Sequence, residues 1–274
     1  MKTKWTCIVM ALWLLGASTA LADALDSFKG EKGTIKISGG TAHIPVMKAV
    51  ADTIMQANGQ IQISIAGGGS GVGIKQVGEG LVDIGNSGRK PTDEEVQKSG
   101  LILHPWAIDG VAVVVHPDNP VKALNSAQLA EIYAGRLVNW KALGGPDKSI
   151  NIYTRDEASG TREVFWEKAI AKGEISAKAL FVASNGAMKT AIAQDPYGIG
   201  YVSVGHIDPS VAPVALDGVA PTLENVKAGK YKVARGLYSN TKGAPQGLTK
   251  KFIDFLFSAQ GRQMIVQQGF IPTD

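Results

Sequence analysis

The chain has 274 residues, of which 45% are hydrophobic and 19% are charged. This balance is typical of globular proteins and excludes a mainly disordered, collagenous or coiled-coil chain, and the length suits two domains or one large one. The 28 basic and 24 acidic residues leave a net charge of only +4 without any basic cluster, so nothing supports nucleic acid as a partner.

The first 22 residues are typical of a cleaved signal peptide. Lys2 and Lys4 precede an apolar run from Cys7 to Leu15, and Ala20-Leu21-Ala22 fits a cleavage site before Asp23. An uncleaved membrane anchor is the less favoured alternative, because the run is shorter than the roughly 20 residues of a spanning helix. Cleavage would remove the one cysteine, Cys7, and thus exclude disulfides and thiolate chemistry. No cysteine for lipid attachment follows the run, so we predict a soluble periplasmic protein.

Beyond Gly33, strand-like runs alternate with helical patterns, which predicts parallel sheets flanked by helices. The first series comprises strand 34–38, helix 46–57, strand 61–66, helix 72–79 and strand 82–86. An apolar run at 111–116 separates it from a second series: helix 124–133, strand 150–153, helix 161–171 and strand 199–204. A strand-like run at 233–238 and a helical pattern at 248–268 complete the chain. Two such series predict two lobes, and the runs near residues 111 and 235 are candidates for the hinge between them.

The loop after the second predicted strand is a candidate anion site. It reads Gly67-Gly68-Gly69-Ser70-Gly71-Val72-Gly73, and glycines let free backbone N–H groups at a helix start approach a ligand. It is not a nucleotide-binding phosphate loop, because Ile74 stands where that motif needs lysine. The alternative interpretation is a flexible turn capped by Ser70.

A second loop, Arg155 to Thr161, also connects a predicted strand to a helix. Ser159 and Thr161 supply hydroxyls, Gly160 permits close approach, and Arg155 offers a charged fork that matches an oxyanion. A capping box beside a surface arginine is the alternative.

Two further loops follow strands, one ending at Thr41 and one running from Asn86 through Ser87 and Gly88 to Arg89. Ligands of open α/β sheets bind at the carboxyl ends of strands, so the four loops together predict a single anion site.

Enzyme chemistry has little support in the sequence. His43, His104, His116 and His206 are scattered without the spacing of metal ligands, and Ser70 does not lie in a nucleophile elbow. The acidic residues also lack the pairing of glycosidases. We therefore predict no catalytic residue, no metal and no cofactor.

Seven motifs occur in the order and spacing of a known family. They are Ile37 to Thr41, Gly67 to Ile74, Asp83 to Arg89, Asp109 to Val113, Asn139-Trp140, Arg155 to Thr161 and Gly198 to Val202. In these motifs the chain resembles the periplasmic phosphate-binding proteins of ABC transporters, which have the type II periplasmic-binding-protein fold. The resemblance implies an α/β fold of two lobes, each a mainly parallel sheet flanked by helices, with the ligand cleft between them. The expected division is a signal peptide at 1–22, a first lobe at 23–110 and 236–274, and a second lobe at 111–235.

The resemblance also implies which residues surround one phosphate ion: Thr41, Ser70, Ser87, Arg155, Ser159, Gly160 and Thr161. One position departs from the better-known members, which carry an aspartate where this chain has Gly88, followed by Arg89. A carboxylate there would accept the proton of phosphate and repel sulfate, which has no proton near neutral pH. We hypothesise that Asp109 supplies this acceptor instead and that Arg89 adds positive charge.

The expected function is capture of inorganic phosphate by a monomeric, non-catalytic periplasmic protein and its delivery to a membrane-embedded ABC permease. The nearest alternative keeps the fold and binds another tetrahedral oxyanion, sulfate or molybdate. A secreted phosphatase that uses the same anion loops is a second alternative, and phosphate sensing or adhesion without transport is a third.

Overall fold

The computed structural model describes residues 24–273. The predicted signal peptide, residues 1–22, lies outside this range. Every helix within residues 24–273 is too short or too polar to cross a membrane.

Strands and helices alternate along the described chain, so the predicted α/β class is confirmed. The strands are β1 (Gly33–Gly39), β2 (Ile61–Gly68), β3 (Ile84–Ser87), β4 (Leu101–Val115), β5 (Ala123–Leu124), β6 (Asn151–Thr154), β7 (Leu180–Phe181), β8 (Gly198–Ser203), β9 (Ala212–Pro213), β10 (Ala215–Leu216), β11 (Ala234–Lys242) and β12 (Ile271–Pro272). The helices are α1 (Ile44–Ala57), α2 (Ser70–Gly78), α3 (Asp93–Ser99), α4 (Ser126–Tyr133), α5 (Gly160–Lys168), α6 (Asn185–Gln194), α7 (Leu223–Lys227), α8 (Gly247–Phe257) and α9 (Ala259–Gln267). Short 3-10 turns cover Thr41–His43, Trp140–Leu143 and Val204–His206.

The main sheet has the strand order β2-β1-β3-β11-β4-β8-β6-β7. The strands β1, β2 and β3 are parallel to one another, as are β6, β7 and β8, whereas β4 and β11 run antiparallel to their neighbours. Strand β4 belongs to both halves, because Leu101 to Gly110 pair with β11 and Val111 to Val115 pair with β8. The long strand therefore connects the two parallel series directly.

Each half of the sheet has its own hydrophobic core, and we call the halves the first and the second lobe. The first core gathers β1, β2, α1 and α8 around buried residues such as Ile37, Trp106 and Phe252. The second core packs β8 against α4 and α5, where the rings of Phe165 and Tyr201 stack with their centroids 4.1 Å apart. The polar loops that end the parallel strands lie between these two cores.

Three local predictions were wrong. The helical pattern at 248–268 forms two helices, because Ser258 has an extended backbone and its Oγ caps α9 by accepting from Gly261 N. The helix predicted from residue 124 begins at Ser126, since the Asn125 side chain caps it. Strand β4 begins at Leu101, ten positions before the apolar run at 111, and its first part mixes buried and exposed residues, so it lacks the continuous apolar pattern of the second part.

Candidate anion site

The loops that follow β1, β2, β3 and β6 meet at one small cavity between the two cores. The empty space among its lining atoms, including the part that opens to solvent, is about 170 Å³. Its lining consists of Gly40, Thr41, Ala42, Gly69, Ser70, Gly88, Arg155, Ser159, Gly160, Thr161 and Arg235. Strands β1, β2 and β3 end at the same edge of the first series, and β6 of the second series runs in the opposite direction, so the carboxyl ends of the two series face each other here.

Helix starts supply much of the lining. Helix α2 begins at Ser70, α5 begins at Gly160, and the 3-10 turn that leads into α1 begins at Thr41. The N–H groups of a first helical turn have no partner within the helix and carry a partial positive charge. The cavity therefore faces three sets of N–H groups that favour an anion.

Four hydroxyls in the lining accept hydrogen bonds from N–H groups of the protein. Each of them keeps its own proton available to donate to a ligand. The pairs are Asn185 Nδ2 to Thr41 Oγ1 at 3.0 Å, Gly88 N to Ser70 Oγ at 2.9 Å, Arg162 N to Ser159 Oγ at 3.2 Å and Arg235 Nη1 to Thr161 Oγ1 at 3.0 Å. The arrangement suits a ligand that offers acceptor oxygens.

Arg155 is a buried cation without a carboxylate partner in the described chain. Its side chain is 1% exposed, and its Nη2 donates to Ala183 O at 3.0 Å. Its Nε and Nη1 have no hydrogen-bond partner among residues 24–273. Burial lowers the pKa of Arg155, while Tyr201 and the negative charge of Asp156 act to raise it. A buried charge without a close counter-charge costs several kcal/mol, so an anion in the cavity would stabilise this guanidinium.

A second guanidinium, that of Arg235, enters the cavity from β11. Its Nε and Nη2 donate to Asp109 Oδ2 at 2.9 and 2.8 Å, and its Nη1 reaches Gly88 O at 3.3 Å. Asp109 is fully buried, and its Oδ1 accepts from Ser203 Oγ at 2.9 Å. Burial raises the pKa of Asp109, while the bonds from Arg235 act to lower it. The two-pronged ion pair fixes the orientation of Arg235, which the sequence interpretation did not include in the site.

Most of the predicted site residues line the cavity, and three do not. Those in the lining are Thr41, Ser70, Arg155, Ser159, Gly160 and Thr161. Ser87 lies buried behind Gly88, where its Oγ accepts from Asn240 Nδ2 at 2.9 Å. Arg89 pairs with Glu95 and Glu163 outside the lining. Asp109 stands behind Arg235 with both oxygens engaged, so it is not in position to accept a proton from a ligand.

Comparison with known proteins gives a consistent set of relatives. A family model for the PBP superfamily domain matches residues 27–260. The chain is 38% identical over 253 residues to the phosphate-binding protein PstS of Bacillus subtilis, covering 90% of this chain and 84% of that protein. It is 26% identical over 277 residues to the phosphate-binding protein PstS of Borreliella burgdorferi, covering 96% and 98%.

Solved structures resemble the whole described fold. A substrate-binding protein with bound phosphate from Clostridium perfringens has a TM-score of 0.83 and 36% identity, with 88% of this chain and 100% of that chain covered. An ABC-type phosphate transport receptor from Vibrio cholerae has a TM-score of 0.70 and 33% identity, with coverage of 86% and 99%.

Proposed function

The chain belongs to the PBP superfamily, and we propose that it binds one inorganic phosphate ion in the cavity between its lobes and delivers it to an ABC permease. The observation that carries this function is the buried guanidinium of Arg155, which forms no ion pair with a carboxylate of residues 24–273. A phosphate dianion offers acceptor oxygens to Arg155, to Arg235, to the four oriented hydroxyls and to the helix starts at once. The named functions of the relatives support the same ligand.

Phosphate is expected to hold the two lobes together. The first lobe contributes Thr41 and Ser70, while the second contributes Arg155 and the start of α5, so a bound anion contacts both. Ligand binding then shifts the population from an open to a closed arrangement. For the hinge we propose the predicted crossings near residues 111 and 235. In support, β4 changes its pairing partner after Gly110, and Arg235 faces Asp109 across the ladder.

We propose binding without covalent chemistry. The hydroxyl oxygens of Ser70 and Ser159 contact N–H groups, and neither meets a histidine or carboxylate among the described residues. A serine nucleophile needs an adjacent base, so these side chains serve as donors to the anion. Export through the signal at residues 1–22, a periplasmic location, action as a monomer and delivery to a permease are parts of this proposal, supported by relatives named as phosphate-binding and transport proteins.

Calorimetric titration tests the function directly. The exported chain, freed of bound anion by partial unfolding and refolding, is expected to bind phosphate at one site per chain near neutral pH. A chain that has refolded by circular dichroism but releases no heat with phosphate would contradict the proposal.

Replacement of Gly160 by alanine is expected to weaken phosphate binding while the chain stays as stable as before. A Cβ on Gly160 would collide with Ser70 Oγ in the other lobe and approach the carbonyl carbon of Gly88 to 3.2 Å. Overpacking of this kind costs the closed arrangement about 1–3 kcal/mol, or roughly 5- to 150-fold in affinity, whereas separation of the lobes relieves it in the free protein. Alanine is a better helix former than glycine at this first position of α5, so the free energy of unfolding should not fall.

Gly71→Ala is the matched control for Gly160→Ala. Gly71 also lies in the first turn of a helix between the lobes, but its Cβ would stay 3.6 Å from Ala158, an ordinary contact. Calorimetry should find its phosphate affinity within about twofold of wild type. Equal affinities for the two variants would show that close approach at Gly160 is not required for binding.

An ion pair outside the cavity connects the lobes, and its loss is expected to have a small effect. Arg89 Nε lies 2.9 Å from Glu163 Oε2 on α5, while the Nη1 and Nη2 atoms of Arg89 donate to the Glu95 carboxylate. The Glu163 side chain is 39% exposed, so Glu163→Gln should cost no more than about 0.2–1 kcal/mol of binding, less than roughly fivefold. The loss should appear as faster phosphate release in stopped-flow measurements and shrink at high salt.

Glu167→Gln is the matched control for Glu163→Gln. Glu167 lies on the same helix with the same side-chain exposure, 39%, but it pairs with Lys172 within the second lobe. Its release rate should therefore equal that of the wild type. Equal rates for all three proteins would mean that the Arg89 to Glu163 contact does not hold the lobes together.

A further inference from the structure

Gly88 and Arg235 together determine the chemical character of one side of the cavity. A Cβ at Gly88 would lie 2.6 Å from Arg235 Nη1 and 3.0 Å from its Cζ. The guanidinium therefore occupies the space that a side chain at position 88 would need. This side of the cavity presents a hydrogen-bond donor with a permanent positive charge.

The rest of the lining does not supply a carboxylate either. Within the described chain, the charged side chains of the lining are Arg155 and Arg235, and each of its hydroxyls accepts from an N–H group. Asp109 approaches from behind Arg235, but Arg235 occupies its Oδ2 and Ser203 occupies its Oδ1. A proton on the ligand thus finds no carboxylate acceptor among the lining side chains of the described chain.

We infer that the cavity recognises a tetrahedral dianion by its charge and its acceptor oxygens, without a carboxylate that selects for a ligand proton, so that it binds HPO₄²⁻ in preference to H₂PO₄⁻ and binds sulfate about as well as phosphate. This inference rests on the proposed function and defines its ligand class more narrowly. Each proton on the ligand removes one unit of the negative charge that the guanidinium groups and the helix starts attract, and no carboxylate in the described lining accepts that proton. Sulfate has the same charge and shape without that proton, so nothing in the lining side chains discriminates against it.

The groups that face the cavity do not obscure the titration of the ligand. Burial lowers the pKa of His43 to about 3 and that of His206 to about 4, so both are neutral between about pH 6 and 8. Arginine stays charged throughout this range. Tyr201, whose hydroxyl contacts the Arg155 backbone, has a pKa raised by burial to about 12. The remaining charged groups around the cavity are Arg89, Glu95, Asp109, Asp156, Arg162 and Glu163.

The test is calorimetric titration of the anion-free exported chain with phosphate and with sulfate at about pH 6 and about pH 8. Sulfate is the internal control, because it does not gain a proton between these pH values. Any change in the protonation of the protein itself affects the titrations with both anions equally. We expect sulfate affinity within about tenfold of phosphate affinity at the higher pH and unchanged at the lower pH. Phosphate affinity should fall roughly tenfold at the lower pH, where its dianion is the minor form.

Two results would overturn the inference and leave the proposed function standing. One is tight phosphate binding with sulfate rejected by roughly 10⁴-fold, as in sites built to pair with a ligand proton. The other is phosphate affinity that is equal or higher at the lower pH. Failure of both anions to bind would refute the proposed function and the inference together.

A pair of variants tests the role of position 88 independently of stability. Arg235→Ala with Asp109→Asn removes the ion pair, and adding Gly88→Asp to this background places a carboxylate in the space that Arg235 leaves. The added Gly88→Asp substitution should raise the ratio of phosphate to sulfate affinity at least about tenfold over the parent double variant. An unchanged ratio would show that the Gly88 position does not determine selectivity. Because each ratio is measured within one protein, any loss of stability cancels.

Discussion

Replacing Arg155 with methionine is expected to weaken phosphate binding strongly while the ligand-free chain becomes no less stable. Truncating one member of a buried, hydrogen-bonded charge pair costs about 2–5 kcal/mol, which corresponds to roughly 30- to 4,000-fold in affinity. In the free protein, Arg155 is 1% exposed and lacks a carboxylate partner in the described chain, so its charge opposes folding. Methionine fills a similar volume without that charge, and such replacements are often neutral or stabilising.

Calorimetry and urea unfolding of the same variant separate the two effects. Arg162→Met is the matched control, because Arg162 is a neighbouring arginine on α5 whose side chain lies outside the cavity lining. The control should keep phosphate affinity within about twofold of wild type. If Arg155→Met binds phosphate as tightly as this control, Arg155 is not the anion anchor. If it unfolds far more easily than wild type, Arg155 has a structural partner in the free protein.

Asp109→Asn is expected to destabilise the chain by about 3–5 kcal/mol in the absence of phosphate. The side chains of Asp109 and Arg235 are 0% and 3% exposed, and loss of the carboxylate leaves the Arg235 guanidinium buried without its counter-charge. Bound phosphate adjoins Arg235, so phosphate should recover part of the lost stability, and the rise in Tm on adding phosphate should exceed that of wild type. Thermal unfolding with and without phosphate measures both quantities.

The double variant Asp109→Asn with Arg235→Met isolates the cause of this loss. Removing the Arg235 guanidinium, which has lost its counter-charge in Asp109→Asn, should return the free energy of unfolding most of the way to the wild-type value. Phosphate affinity should fall, because one guanidinium is gone from the cavity. A single variant Asp109→Asn that loses less than about 1 kcal/mol would contradict the structural role of the ion pair. A double variant no more stable than the single one would contradict its assignment to Arg235.

The binding loops were predictable from sequence because each is a local pattern. A strand, a short run of glycine, serine or threonine, and a helix start appear together around Ser70 and around Ser159 to Thr161. Each loop lies at the carboxyl end of a strand, where α/β sheets bind ligands. The two parallel series run in opposite directions, so their carboxyl ends face each other across the cavity. The same locality explains why the α/β alternation and the parallel strand series were correct.

Arg235 could not be predicted in this way, because its position depends on strand register. It lies 126 positions from Asp109, and only the antiparallel ladder of β4 and β11 places the two opposite each other. The apolar run near residue 235 indicated a crossing strand but gave no sign of which residue it would face. Register is set by packing of both strands, which a single sequence does not display.

Arg89 was wrongly predicted to lie in the site because it is close in sequence to a binding loop. It follows Ser87 by two positions, yet its guanidinium turns to Glu95. The capping box of α3, in which Glu95 Oε2 also accepts from Thr92 N, holds that carboxylate in place for the arginine. A charge beside a binding loop is therefore directed by whichever fixed counter-charge it can reach, and this depends on the next helix.

A crystal structure of the exported chain grown with phosphate, in the absence of sulfate, is the sharpest test of phosphate binding in this cavity. We expect one phosphate ion within hydrogen-bond distance of both Arg155 and Arg235, with the hydroxyls of Thr41, Ser70 and Ser159 donating to its oxygens. A well-ordered structure with phosphate bound elsewhere, or with the Arg155 guanidinium paired to a protein carboxylate in this cavity, would contradict it.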